Sequence, residues 1–215
     1  MLPSGWARRR RGDCVIIDPH SHIADHEAGS YAQLSGVSLR FPQSVNGTMD
    51  PDSVRDCLTD DSDVQVAPAT LVVVENAHST GAVVSLDNMR AVYEVAHEKG
   101  VAVHLDGARL FNAAAALGVS DVRELTQYCD TVMCCLSKGL CAPIGTLLAG
   151  SREFIQRARK NRKMLGGGMR QAGVIAAPAL IALTKMPARL KEDHENARYM
   201  AQKLSAMEGI CCDPQ

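Results

Sequence analysis

Lys138 stands where an apolar run stops: TVMCCL (131–136) ends in Ser137-Lys138 and gives way to the turn GLCAPIG (139–145). A lysine in partly buried, low-dielectric surroundings loses its proton more readily, and the neutral amine that results attacks carbonyl groups to form an imine. Two further apolar runs also end in polar groups. VAVHLD (101–106) ends at Asp106, and TLVVVEN (70–76) ends at Glu75-Asn76. A carboxylate beside an imine-forming lysine meets a second demand, that of pyridoxal phosphate, whose pyridine nitrogen must stay protonated for the ring to draw electrons. A plainer reading stays open on these residues alone. Lys138 is then an exposed loop residue and Asp106 a helix N-cap, since both types are common at strand ends.

The elements around these residues explain how they could meet. TLVVVEN is β-branched and reads as a strand. Leu86, Met89, Val92 and Ala96 follow at helical spacing, with Ser85 placed to cap the start and Gly100 the end. VAVHLD is a second strand, GARLFNAAAALG (107–118) a helix closed by Gly118, and DTVMCCL (130–136) a third strand after a further short helix. Continuous apolar strands joined by amphipathic crossovers predict an α/β fold, a mostly parallel central sheet with helices on both faces. Right-handed crossovers then place Glu75, Asp106 and Lys138 on one edge, where open α/β sheets bind ligands. TLLAG (146–150) reads as an antiparallel return strand. Beyond it, SREFIQRARKNRKML is a basic helix stopped by Gly166-Gly168, MRQAGVIAAPALIAL a helix bent near Pro178, and PARLKEDHENARYMAQKLSAM a long helix. The expected division is a large domain over residues 1–185 and the start of a small domain over 186–215.

Composition narrows the partner. The 215 residues carry a net charge of -1 and are 46% hydrophobic, without an apolar run near the roughly 20 residues of a membrane span. This balance gives no general pull toward nucleic acid or membranes and points to a small molecule. Eight cysteines, at 14, 57, 129, 134, 135, 141, 211 and 212, include no pair of zinc knuckles and read as reduced thiols in a cytoplasmic setting. The ARRRRG stretch (7–12) is a weak pointer to a mitochondrial leader.

Three blocks in order, HLDGARLFNAA, CLSKGLCAPIG and RKMLGGGMRQAG, resemble the low-specificity threonine aldolases, pyridoxal-phosphate enzymes of the aspartate aminotransferase fold. The likeness runs from about Gly12 to Leu183. It implies Lys138 as the imine-forming lysine, Asp106 as the partner of the pyridine nitrogen, and Arg109 facing the cofactor's phenolic oxygen and the substrate carboxylate. Ser137 would help hold the phosphate, and Arg170 and Lys163 would serve a site shared across the interface of a homodimer or homotetramer. Within IIDPHSHIADHEAG, His22 matches a histidine that stacks on the pyridoxal ring. His78, in ENAHSTG, matches one that handles protons. The implied reaction cleaves L-threonine or L-allo-threonine between Cα and Cβ to glycine and acetaldehyde.

The chain also departs from that family. LPSGWARRRRGD resembles the start of a Ser-Gly-Thr phosphate turn joined directly to a later stretch, with Trp6 after Gly5 where threonine is usual. Cys141 replaces a customary glycine and would crowd the turn after the lysine. Two other readings follow from the residues. One is a non-catalytic relative that keeps the scaffold without a phosphate cup. The other is a metal-dependent hydrolase using DPHSH (18–22) with His26 and Glu27, although His97 and His194 fall on helices.

Overall fold

A computed structural model of the chain describes residues 10–212, so the Gly5-Trp6 junction lies outside the described residues. β1 (Cys14–Ile17) is an apolar tetrapeptide between two aspartates. A single helical turn, α1 (His22–Asp25), and a π-helical turn (Tyr31–Ser35) lead on to β2 (Ser38–Arg40). β3 (Ser44–Val45) and β4 (Thr48–Met49) form a tight hairpin whose central Asn46 and Gly47 have φ of 49° and 82°. That left-handed pair is what an Asn-Gly hairpin turn supplies. α2 (Pro51–Cys57) starts with proline at its first turn and with the Asp50 side chain accepting from the Ser53 amide, two ordinary start signals.

The strand and helix alternation expected from the sequence follows: β5 (Ala69–Glu75), α3 (Leu86–Glu98), β6 (Ala102–Asp106), α4 (Leu110–Ala116), α5 (Arg123–Thr126), β7 (Thr131–Cys135) and β8 (Thr146–Ala149). Ser85 caps α3 through the Asn88 amide. α6 (Arg152–Met164), α7 (Gly173–Lys185) and α8 (Leu190–Ser205) complete the chain, with Pro178 inside α7.

The six-stranded sheet has the order β2-β1-β5-β6-β7-β8, with β1, β2, β5, β6 and β7 parallel and β8 antiparallel to β7. The chain runs outward in one direction from β1 to β2 and in the other from β5 to β6 and β7. The strand order therefore reverses between β1 and β5, and the loops leaving these two strands part to open a crevice at their carboxyl ends. Alternate side chains divide the core. Ile16, Val72, Val74, Val103 and Leu105 pack against α3 and α4, whereas Ile17, Leu71, Val73 and Ala102 lie on the opposite face with Ile23 of α1.

Candidate functional site

Two carboxylates stand side by side at the carboxyl edge, because Glu75 and Asp106 are register partners at the ends of β5 and β6. Both are buried, at 3% and 5% exposure. Asp106 takes one hydrogen bond, 3.1 Å from the Ala108 amide to its Oδ1. Burial and, next, the neighbouring Glu75 charge raise its pKa above the ordinary carboxylate range. The Ala108 amide and the charges of Lys138 and His22 act in the opposite direction. Asp106, Glu75, Lys138 and His22 thus belong to one electrostatic cluster.

Glu75 fastens α1 to this cluster. Its Oε2 accepts the His22 backbone amide at 2.8 Å, and its Oε1 accepts from the Ser79 hydroxyl. The His22 ring is half-buried, with Nε2 3.0 Å from Glu27 Oε1 and its centroid 5.4 Å from that of His26. Glu75 marks a strand end in the sequence, but its hold on His22 depends on a contact 53 residues away that no local pattern carries.

His78 leaves the crevice from the β5 side and is 1% exposed. Its Nδ1 lies 3.3 Å from the Thr80 amide that donates to it and 3.0 Å from Thr80 Oγ1. An accepting Nδ1 puts the ring proton on Nε2. Nε2 is 3.2 Å from Asp18 Oδ1 but outside hydrogen-bond geometry. Asp18 also accepts from the His20 amide at 2.8 Å and from the Ser44 hydroxyl. The β3–β4 turn covers the ring so closely that a Cβ on Gly47 would come within 2.5 Å of His78 Cδ2. Ser21 Oγ and His78 Nε2 are the two buried side-chain atoms without a hydrogen-bond partner among the described residues, and both sit on the loops that leave β1 and β5.

Lys138 and Ser137 are exposed on the turn after β7, so the surroundings expected for the lysine are more open in the structure than the sequence suggests. The Lys138 side chain lines a cavity of about 340 Å³ with Cys141, Arg189, Leu190 and Asn196. Cys141 is exposed rather than crowded. Its departure from glycine falls on the backbone, which it holds at φ 61°. Arg109 precedes α4, which begins at Leu110 rather than at Gly107, and its side chain is exposed. Lys163 lies in the last turn of α6 and Arg170 on the loop beyond it, both exposed. Burial pushes the thiols of Cys129 and Cys134 up to about 12 and about 11, so these two act as small core hydrophobes. Among the described residues no three His, Cys, Asp or Glu side chains converge as metal ligands.

The family model for beta-eliminating lyases matches residues 6–215. The chain belongs to that family. Its relatives include low-specificity L-threonine aldolase 1 of Arabidopsis thaliana, 42% identical over 204 residues that cover 93% of this chain and 57% of the plant protein. A solved Leishmania major threonine aldolase superposes with a TM-score of 0.75 at 18% identity, covering 95% of this chain and 59% of that one. Aspartate aminotransferase from Thermus thermophilus superposes at 0.69 with 14% identity, covering 91% and 51%. The beta-eliminating lyase chain therefore has the aspartate aminotransferase fold expected from its three sequence blocks. It spans just over half the length of the curated relatives it matches.

Proposed function

We propose that this chain binds pyridoxal phosphate and carries the catalytic lysine of a threonine aldolase, which cleaves L-threonine or L-allo-threonine to glycine and acetaldehyde. The observation that supports this most is Asp106: a buried carboxylate of raised proton affinity, under-bonded, at a parallel strand end within electrostatic reach of Lys138 and His22. A cationic nitrogen placed against it would relieve the cost of its buried charge. Ser21 Oγ, without a hydrogen-bond partner among the described residues on the loop that leaves β1, also fits a polar ligand there.

When bound, pyridoxal phosphate supplies a cationic ring that takes up the electron pair left by breaking the Cα–Cβ bond. Asp106 would hold the protonated ring nitrogen, and Lys138 would provide the amine that anchors the cofactor. His22, whose α1 turn is pinned by Glu75, would contact the cofactor ring. Arg109 would take the substrate carboxylate and orient the substrate so that cleavage is favoured over transamination. Asp18 Oδ1 lies 3.2 Å from His78 Nε2, and Nδ1 lies against the Thr80 amide and hydroxyl. His78 would serve as the group that takes the proton of the substrate's β-hydroxyl.

Ser137 contributes to the phosphate site. Lys163 and Arg170 flank exposed Met164, Leu165 and Met169, an apolar and basic surface suited to a second copy in a homodimer or homotetramer. Purified full chain with pyridoxal phosphate and L-threonine tests the reading. Acetaldehyde released by the chain and lost in Lys138→Ala supports it. Cofactor binding without acetaldehyde would leave a scaffold that does not catalyse.

A further inference from the structure

Gly139, directly after Lys138, is enclosed from two sides. A Cβ there would come within 2.5 Å of Asn112 Oδ1 and 3.0 Å of Leu190 Cδ2. Asn112 belongs to α4, the helix that starts just past Asp106 and Arg109, and Leu190 opens α8 and is buried. The other end of the Asn112 amide, Nδ2, lies 3.1 Å from His194 Nε2, one turn along α8 from Leu190. A single amide thus spans from α8 to the lysine turn, its oxygen against Gly139 and its nitrogen on a histidine. In this arrangement Nδ2 donates and His194 Nε2 accepts, in the tautomer that carries its proton on Nδ1. α8, through Leu190 and Asn196, and Arg189 just before it also line the cavity beside Lys138.

We infer that Asn112 and His194 are positioning residues for Lys138: their hydrogen bond locks the Gly139 turn, and so fixes where the lysine amine can reach. This inference rests on the proposed role of Lys138, but the lock itself is a property of the chain without cofactor. Neither residue touches the reacting atoms. The lock ties the catalytic turn to a helix that starts 52 residues later, so α8 acts on Lys138 without supplying a group to the crevice.

Hydrogen–deuterium exchange on the full chain tests the lock through the backbone amides of Gly139, Leu140 and Cys141, with Val103 to Leu105 in β6 as an internal reference. Two substitutions separate hydrogen bonding from packing. His194→Gln keeps an acceptor for the Asn112 amide, whereas His194→Leu keeps bulk and removes it. Exchange at 139–141 is expected to rise roughly fivefold in the leucine variant, the equivalent of one net hydrogen bond, and to stay within about twofold of wild type in the glutamine variant. β6 should be unchanged in both. Wild-type exchange in the leucine variant, or equal acceleration in both variants, overturns the inference. If the leucine variant loses α8 altogether, Asn112→Ala against His194→Gln gives the same comparison. Borohydride trapping of added pyridoxal phosphate on Lys138 supplies a second readout, expected to slow in the leucine variant alone. Absence of trapping in wild type as well would contradict the proposed function while leaving the exchange result to decide the lock.

Discussion

On one face of the sheet, Val72, Val74, Val103 and Leu105 lie beneath α3 and α4 within a core that gathers most of the buried apolar side chains. On the other, the buried cluster among the described residues is Ile17, Leu71, Val73 and Ala102. A cavity of about 450 Å³ opens over this second face, lined in part by Leu71, Val73, His104 and Phe154. Glu75 and Asp106 point to the same side as Val73 and Ala102, by the two-residue period of a strand. The well-packed face therefore holds the strands in register, and the thinly covered face carries the polar site at its carboxyl end. Most of the apolar packing and the buried carboxylate pair thus lie on opposite sides of the same strands.

The largest difference between the faces should appear on truncation. Leu105→Ala on the packed side is expected to cost about 4 kcal/mol and Leu71→Ala about 2 kcal/mol, because a side chain already bordering a cavity leaves less new void behind. Urea unfolding of the two variants checks this, and equal losses would break the contrast.

The next effect is electrostatic and has the opposite sign. Asp106 has a raised pKa in the folded chain, so its contribution to stability is full below the ordinary carboxylate range and is lost as pH rises through the raised value. Asp106→Asn should therefore stabilise the cofactor-free chain at neutral pH by on the order of 1 kcal/mol and flatten that part of the pH profile, while weakening cofactor binding. Glu75→Gln should move the Asp106 titration down toward the ordinary range, because the like charge beside it is gone, and so shrink the stability lost as pH rises. Melting curves between acid and neutral pH read both variants. Stabilisation from neither would mean that the carboxylate pair carries no strain.

The smallest change is expected at Cys141, where glycine removes a left-handed strain at an exposed position. Cys141→Gly should gain about 0.5–1 kcal/mol, detectable as a small rise in melting temperature.

Much of the packed face could be read locally. The β-branched run of β5, the helical spacing and Ser85 cap of α3, and the antiparallel return of β8 follow from pattern and turn chemistry, and the structure has them. The strand ends of β5, β6 and β7 likewise led to Glu75, Asp106 and Lys138 as neighbours. The thin face was harder. β1 is four residues long and β2 three, too short for a period to register, although the run CVII between Asp13 and Asp18 and the Asn46-Gly47 pair were available signals. The partnerships of Glu75 with the His22 amide, Asp18 with His78, and Asn112 with His194 join residues far apart in the chain. Only tertiary packing decides such pairs, so no spacing rule could name them.

Lys138 is the point on which the whole reading turns, and borohydride reduction of the full chain with pyridoxal phosphate, followed by peptide mass analysis, addresses it directly. The account predicts one cofactor adduct on the peptide containing Lys138, formed at low cofactor excess and absent in Lys138→Ala. Adducts scattered over surface lysines, undiminished in Lys138→Ala, would contradict it.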